Sequence, residues 1–222
     1  MQEHMPILRK VGKVLIAIGL VDIAVMIYCI VNGTSYSSSL NIFAVIAGIF
    51  LFRGSLRAVA MVSWFGVFLI SCLGGLVLSW PFSQPIELTL LQFKLNSMAF
   101  CTSLAIGVFV LGLICWVVHE LRREPVLAAR RQAGAKPSSP LVPASVGVVL
   151  VVALVIGLKI MFSGETAQQV KKRAENEVGQ GYKFNVNAIN IMHNSQGKFV
   201  SATVTAYNDK EIRVIPVQWE EK

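Results

Sequence analysis

The chain has 222 residues, of which 55% are hydrophobic and only 14% charged, and its mean hydropathy is +0.64. A water-soluble domain of this length carries charge on nearer a quarter of its residues, so the composition is not that of an ordinary soluble protein and points to lipid as solvent for much of the chain. The formal net charge of +8 lies mostly beside apolar runs rather than in one patch, and this argues against nucleic acid as a partner.

Five apolar runs follow one another at 14–31, 36–52, 58–80, 95–118 and 141–161. At about 1.5 Å per helical residue each is near the length needed to cross a bilayer core of about 30 Å. The first run has a basic start but no small-x-small cleavage site after it. Tyr28, before Cys29, is too bulky for a lipoprotein signal, so the run is expected to be an uncleaved span. The second run is the shortest. It joins the third through a tight turn carrying Arg53 and Arg57, whose side chains can snorkel to lipid phosphates. Pro85 opens a short apolar stretch through Leu95, expected to be either a helix on the membrane surface or a loop. The stretch 120–136 is expected to prolong the fourth span as a basic amphipathic helix and to break at Gly134 and the Pro137–Pro140 region.

Orientation follows from the connections. The N-terminal tail 1–13 carries Arg9, Lys10 and Lys13, and the 53–57 turn carries two arginines. The loop 119–140 carries Arg122, Arg123, Arg130, Arg131 and Lys136. The 32–39 loop has no charge, and 81–94 holds only Glu87 and Lys94. The positive-inside rule then places the N-terminus in the cytoplasm. Five crossings carry 163–222 to the outer side, the periplasm of a bacterial inner membrane. Trp80, Tyr36 and Trp116 fall near the expected interfaces, as aromatic belts do.

The segment 163–222 has the pattern of a small α+β domain. Thr166 and Gln169 fit a capping box. Ala167, Val170, Ala174 and Val178 form one apolar stripe at helical spacing, and Gly179 and Gly181 end the helix. Three strands are expected next. In 182–192 the alternation changes phase at Ile189 and Ile191, which implies a bulge. The second strand is 199–207. The third, 212–219, carries Pro216, which suits an edge. The turns fall at 194–197 and 208–209. This helix-then-meander order is similar in layout to the cystatin-like or pilin-like plan, without a shared motif. A core this small is marginal alone, so the domain is expected to lean on the helices, a second copy or a partner.

Asp22 is the sharpest chemical candidate. It lies near the middle of the first span, where a carboxylate costs roughly 2.5–3.5 kcal/mol or more to insert. The other spans offer no basic partner at that depth; Ser71, Thr102 and Ser103 are the neutral candidates, with Asn41 a lesser one. Three roles compete: an interhelical hydrogen bond, a counter-charge for another protein's membrane helix, and proton or cation handling. Small residues recur at Ala44/Gly48, Ser71/Gly75, Ser103/Gly107 and Ala153/Gly157, which lets helices approach closely within the bundle or between copies. Cys29, Cys72, Cys101 and Cys115 all lie within apolar runs and read as packing residues. His4, His119 and His193 are scattered, so neither a metal site nor a cofactor is expected, and no phosphate-binding or nucleophile-elbow motif occurs. Tyr182, Tyr207 and Trp219 could form an aromatic partner-binding surface on the sheet, or belong to its core.

The expected architecture is therefore a five-helix polytopic membrane protein with a small extracytoplasmic domain of one helix on a three-stranded antiparallel meander. The expected function is non-enzymatic: an interaction, assembly or accessory protein. Its partners would be the bilayer and another membrane protein or a second copy of itself. The alternative is a small transporter or channel component in which Asp22 handles a proton or cation.

Overall fold

A computed structural model describes residues 3–34, 36, 41–135, 139–179, 181–194 and 197–221. The chain is mostly helical and ends in a three-stranded antiparallel sheet. Its elements are α1 (His4–Val31), α2 (Asn41–Phe52), α3 (Leu56–Ser83), α4 (Ile86–Leu95), α5 (Ser97–Leu121), α6 (Glu124–Gln132), α7 (Leu141–Ser163), α8 (Glu165–Val178), β1 (Lys183–Asn194), β2 (Gly197–Tyr207) and β3 (Ile212–Glu221). Four of them, α1, α3, α5 and α7, are long and apolar enough to cross a membrane. The second run departs from expectation. Tyr36 is not helical and α2 covers Asn41–Phe52, about 18 Å at 1.5 Å per residue. Residues 37–40 lie outside the described residues.

The chain divides into two compact units, Met1–Leu73 with Phe109–Val148, and Gly74–Val108 with Val149–Lys222. In the first, α2 lies against α1 at two glycines. A Cβ on Gly12 would fall 2.7 Å from the Gly48 carbonyl oxygen and 2.8 Å from the Phe52 nitrogen. The Gly54 turn (φ +81°) then reverses the chain beside Met5, and Ser55 Oγ accepts the Ala58 N–H at the start of α3. Leu8, Val11, Leu51, Val59, Val117, Leu121 and Val126 close a core at this end of the unit. α3 meets α7 where Gly147 stands against Phe68 and Ser71, with Cys72 Sγ 3.8 Å from the Gly147 carbonyl oxygen. The expected continuous helix over 120–136 is instead two helices. α5 stops at Leu121, Arg123 is extended, and α6 restarts with Pro125 in its first turn, where proline's missing N–H is harmless.

The second unit holds the α+β domain. α8 begins after Gly164, with no side-chain cap, so the expected Thr166–Gln169 box does not form; Glu165 occupies the first turn instead, where its charge suits the helix dipole. The predicted stripe is correct: Ala167, Val170 and Ala174 are buried against Val186, Ile189, Val200, Ala202, Val204, Ile215, Val217 and Trp219, with Val178 packed at the edge. The strand order is β1-β2-β3. The register shifts between Val186 and Ala188, which is the expected bulge, and it returns Ile189 to the α8 side opposite Ala202.

Candidate functional site

Asp22 sits half-buried on α1, and the Tyr36 hydroxyl donates to its backbone carbonyl oxygen at 3.3 Å. Ser71 donates its hydroxyl to Val67 O one turn back at 3.0 Å and stands at the Gly147 crossing. Thr102 likewise donates to Met98 O at 2.8 Å, and both Thr102 and Ser103 are exposed. The Ser71 and Thr102 hydroxyls therefore satisfy themselves on their own helices, a common use of Ser and Thr in apolar segments. The side chain of Asn41 lies outside the described part of the structure.

The basic connections of the first unit contain a cluster that sequence reasoning missed. Glu120 is buried, 6% exposed, and its carboxylate accepts from Arg123 Nη1 at 3.0 Å and pairs with Lys10 Nζ at 3.5 Å. Lys10 also lies over the Trp116 ring, 5.2 Å from its centroid. The signal was spread over distant positions: Lys10 and Glu120 read separately as topology charges, and only packing of α1 beside α5 joins them. Arg130 is 7% exposed, and its Nε has no hydrogen-bond partner among the described residues. Arg53, Arg57, Arg123 and Arg131 are exposed and Arg122 is half-buried; Arg131 reaches Glu124 at 3.7 Å. Met5, Pro6, Arg9, Lys10 and Lys13 line a cleft of about 460 Å³.

On the sheet, the three aromatics do not make one exposed patch. Trp219 is opposite Val200 on the α8 side, in the core, with the Arg173 guanidinium 4.8 Å from its ring centroid. Tyr207 pairs with Ile212 on the other side and is buried with Leu88 and Leu91 of α4. Tyr182, half-buried, donates its hydroxyl to Glu211 Oε1, and Arg213 lies over its ring at 5.7 Å while bonding the same carboxylate oxygen at 2.9 Å. The separation of the aromatics has a simple cause. Alternation sends Val200 and Tyr207 to opposite sides of β2, and the antiparallel register carries Trp219 with the first and Ile212 with the second.

These contacts set the electrostatics of the domain. The Tyr182 hydroxyl, assisted by Arg213, holds the Glu211 carboxyl below its usual range. The same bond raises the Tyr182 phenol, and burial adds to it. The Lys183 ammonium is raised by its ion pair with Glu87. Burial raises Tyr207.

On the sheet face away from α8, the exposed Val214 and Met192 stand among polar side chains. Asn185 Nδ2 donates to Asn187 Oδ1 at 3.1 Å, and Asn187 Nδ2 donates to Thr205 Oγ1 at 2.5 Å. Ser201, Thr203 and Gln218 follow on the same face by register. Along the edge where β3 runs beside α8, Arg173, Asn176, Glu177, Pro216, Val217 and Gln218 line an open cleft of about 670 Å³. Among the described residues no three His, Cys, Asp or Glu side chains are placed to hold a metal ion. The Asn185, Asn187 and Thr205 side chains give this face linked amide and hydroxyl donors and acceptors. No family model, no protein of curated function and no solved structure matches the chain.

Proposed function

We propose that this chain is a non-enzymatic interaction or accessory protein of a bacterial inner membrane, anchored by its apolar helices and presenting the α8–sheet domain on the outer side. The observation that carries this reading is the domain itself. It has its own apolar core on one face of the sheet, while the other face offers Asn185, Ser201, Thr203 and Gln218, and β1 and β3 leave two edges. Amides and hydroxyls interspersed with the exposed Val214 and Met192 suit recognition of a partner surface.

The orientation has support within the first unit. Gly54 stands beside Met5 and Val126 packs with Leu8 and Leu51, so the three basic connections gather at one end of that unit. The return from Val31 to Gly54 then amounts to a crossing even though α2 is short. In this reading the N-terminus is cytoplasmic and 163–222 extracytoplasmic.

A second reading, a small transporter or channel component, draws on one observation. α2 packs along α1, the helix that carries the Asp22 carboxylate, and helices broken beside a midplane charge mark ion sites in transporters.

The test is brief cross-linking in native membranes, mild solubilisation and mass spectrometry of what the tagged chain retains. The accessory reading expects a stoichiometric partner of another sequence, still retained by Asp22→Asn if that residue only hydrogen-bonds within the bundle. Recovery of this chain alone would overturn it. Proton or cation flux in liposomes that Asp22→Asn abolishes would establish the transport reading instead.

A further inference from the structure

We propose that α4 is a two-faced interfacial helix, with one apolar stripe seated under the Tyr207–Ile212 end of the sheet and the opposite stripe immersed in the outer leaflet of the bilayer, so that the α+β domain is tethered at the membrane surface by that end. This rests on the membrane placement proposed above.

The sequence of α4, Ile86–Leu95, looks apolar without a clear polar face. At about 100° per residue Leu88 and Leu91 fall on one side. Ile86, Leu90 and Phe93 fall on the other, roughly 160–170° away. The first side is taken: Leu88 and Leu91 are buried with Tyr207, with Ile212 against them. Beside this contact Glu87 forms an ion pair with Lys183 at the start of β1. The second side is open, with Ile86 and Leu90 each 63% exposed and Phe93 46%.

The neighbours of α4 say what covers that open side. Only Gln84 and Pro85 separate it from α3, and only Asn96 separates it from α5, both of them long apolar helices. Thr89 Oγ1 accepts from Gln84 Nε2 at 2.8 Å and from Trp80 Nε1 at 3.3 Å, so α4 is tied to the end of α3 at an indole. Phe93 stacks edge-on to Phe100 near the start of α5, with centroids 5.6 Å apart. A helix joining the ends of two spans lies at the depth of the headgroups, where tryptophan concentrates. An apolar stripe there gains by entering the acyl boundary. A water-facing stripe of this kind on a short linker would expose apolar surface for no return.

The experiment uses the full chain in liposomes with Cys29, Cys72, Cys101 and Cys115 replaced, and one spin label placed in turn by Leu90→Cys, Gln218→Cys and Val152→Cys. Collision with oxygen and with a water-soluble nickel chelate is read at each site. The expected result at 90 is oxygen access above, and nickel access several-fold below, those at 218. Nickel access at 90 equal to that at 218 would overturn the proposal, because the stripe then faces water. Low access to both reagents would overturn it too, in favour of a protein surface or a second copy covering the stripe. The 152 label on α7 separates the premise: if it is nickel-accessible, the membrane placement itself fails. Carbodiimide should also join Glu87 to Lys183 within one chain, and absence of that cross-link from the folded protein would remove the seated face.

Discussion

Glu211 concentrates the domain's local electrostatics, because one carboxylate receives both the Tyr182 hydroxyl and the Arg213 guanidinium. Its pKa is lowered by the Tyr182 bond first and by Arg213 after it. A depressed carboxylate contributes stability that is present above the ordinary value of 4.5 and lost as pH falls through the folded value. The Tyr182 phenol is raised, so its part persists up to the ordinary value of 10.0 and fades as pH rises further. Tyr182→Phe should therefore lower the thermal midpoint of the domain near neutrality, with the difference from the parent shrinking in acid. Thermal unfolding followed across pH checks this. A pH-independent difference would mean that the ring's packing, and not the bond, is what counts. The bulge and the apolar stripe of α8 were legible residue by residue. The Tyr182 network was not, since Glu211 and Arg213 lie about thirty positions away and meet the tyrosine only through strand pairing.

At the scale of elements, the close approach of α1 and α2 turns on Gly12 and Gly48. Small-residue spacing identified Gly48, but its partner Gly12 lies in the basic start of α1, where an apolar-run search does not look. A side chain at Gly12 would meet backbone, which cannot step aside. Gly12→Val should cost about 1–3 kcal/mol by overpacking, read as a lower midpoint in detergent. The same change at Gly107 or Gly157, where nothing stands within 4 Å, should be tolerated far better. Equal losses at all three would point to helix propensity rather than crossing geometry. The small pairs thus divide: Gly48 and Ser71 lie at crossings, as does Gly75, which meets Val151, while Gly107 and Gly157 are open. Periodicity alone could not sort them, because it reports which residues share a face and not what that face meets. α4 makes the same point. Two opposed stripes cancel in any search for one apolar face, and only the position of Tyr207 shows that one stripe is already covered.

For the whole molecule, the decisive question is the side on which the sheet resides. Cysteines placed at Arg57 and at Gln218 in a chain lacking its own should answer it with an impermeant maleimide on intact cells. Labelling at 218 and protection at 57 until permeabilisation is the expected pattern, and the reverse would invert the proposed orientation. The long apolar helices, the basic connections and the helix-then-meander order were determined by the sequence alone, because each depends on local composition, run length and period. The buried Glu120 pair, the separation of Trp219 from Tyr207 and the seating of α4 were decided by tertiary structure. Each of these depends on which distant surface a residue meets, and lipid, a second helix and a sheet accept the same apolar side chains.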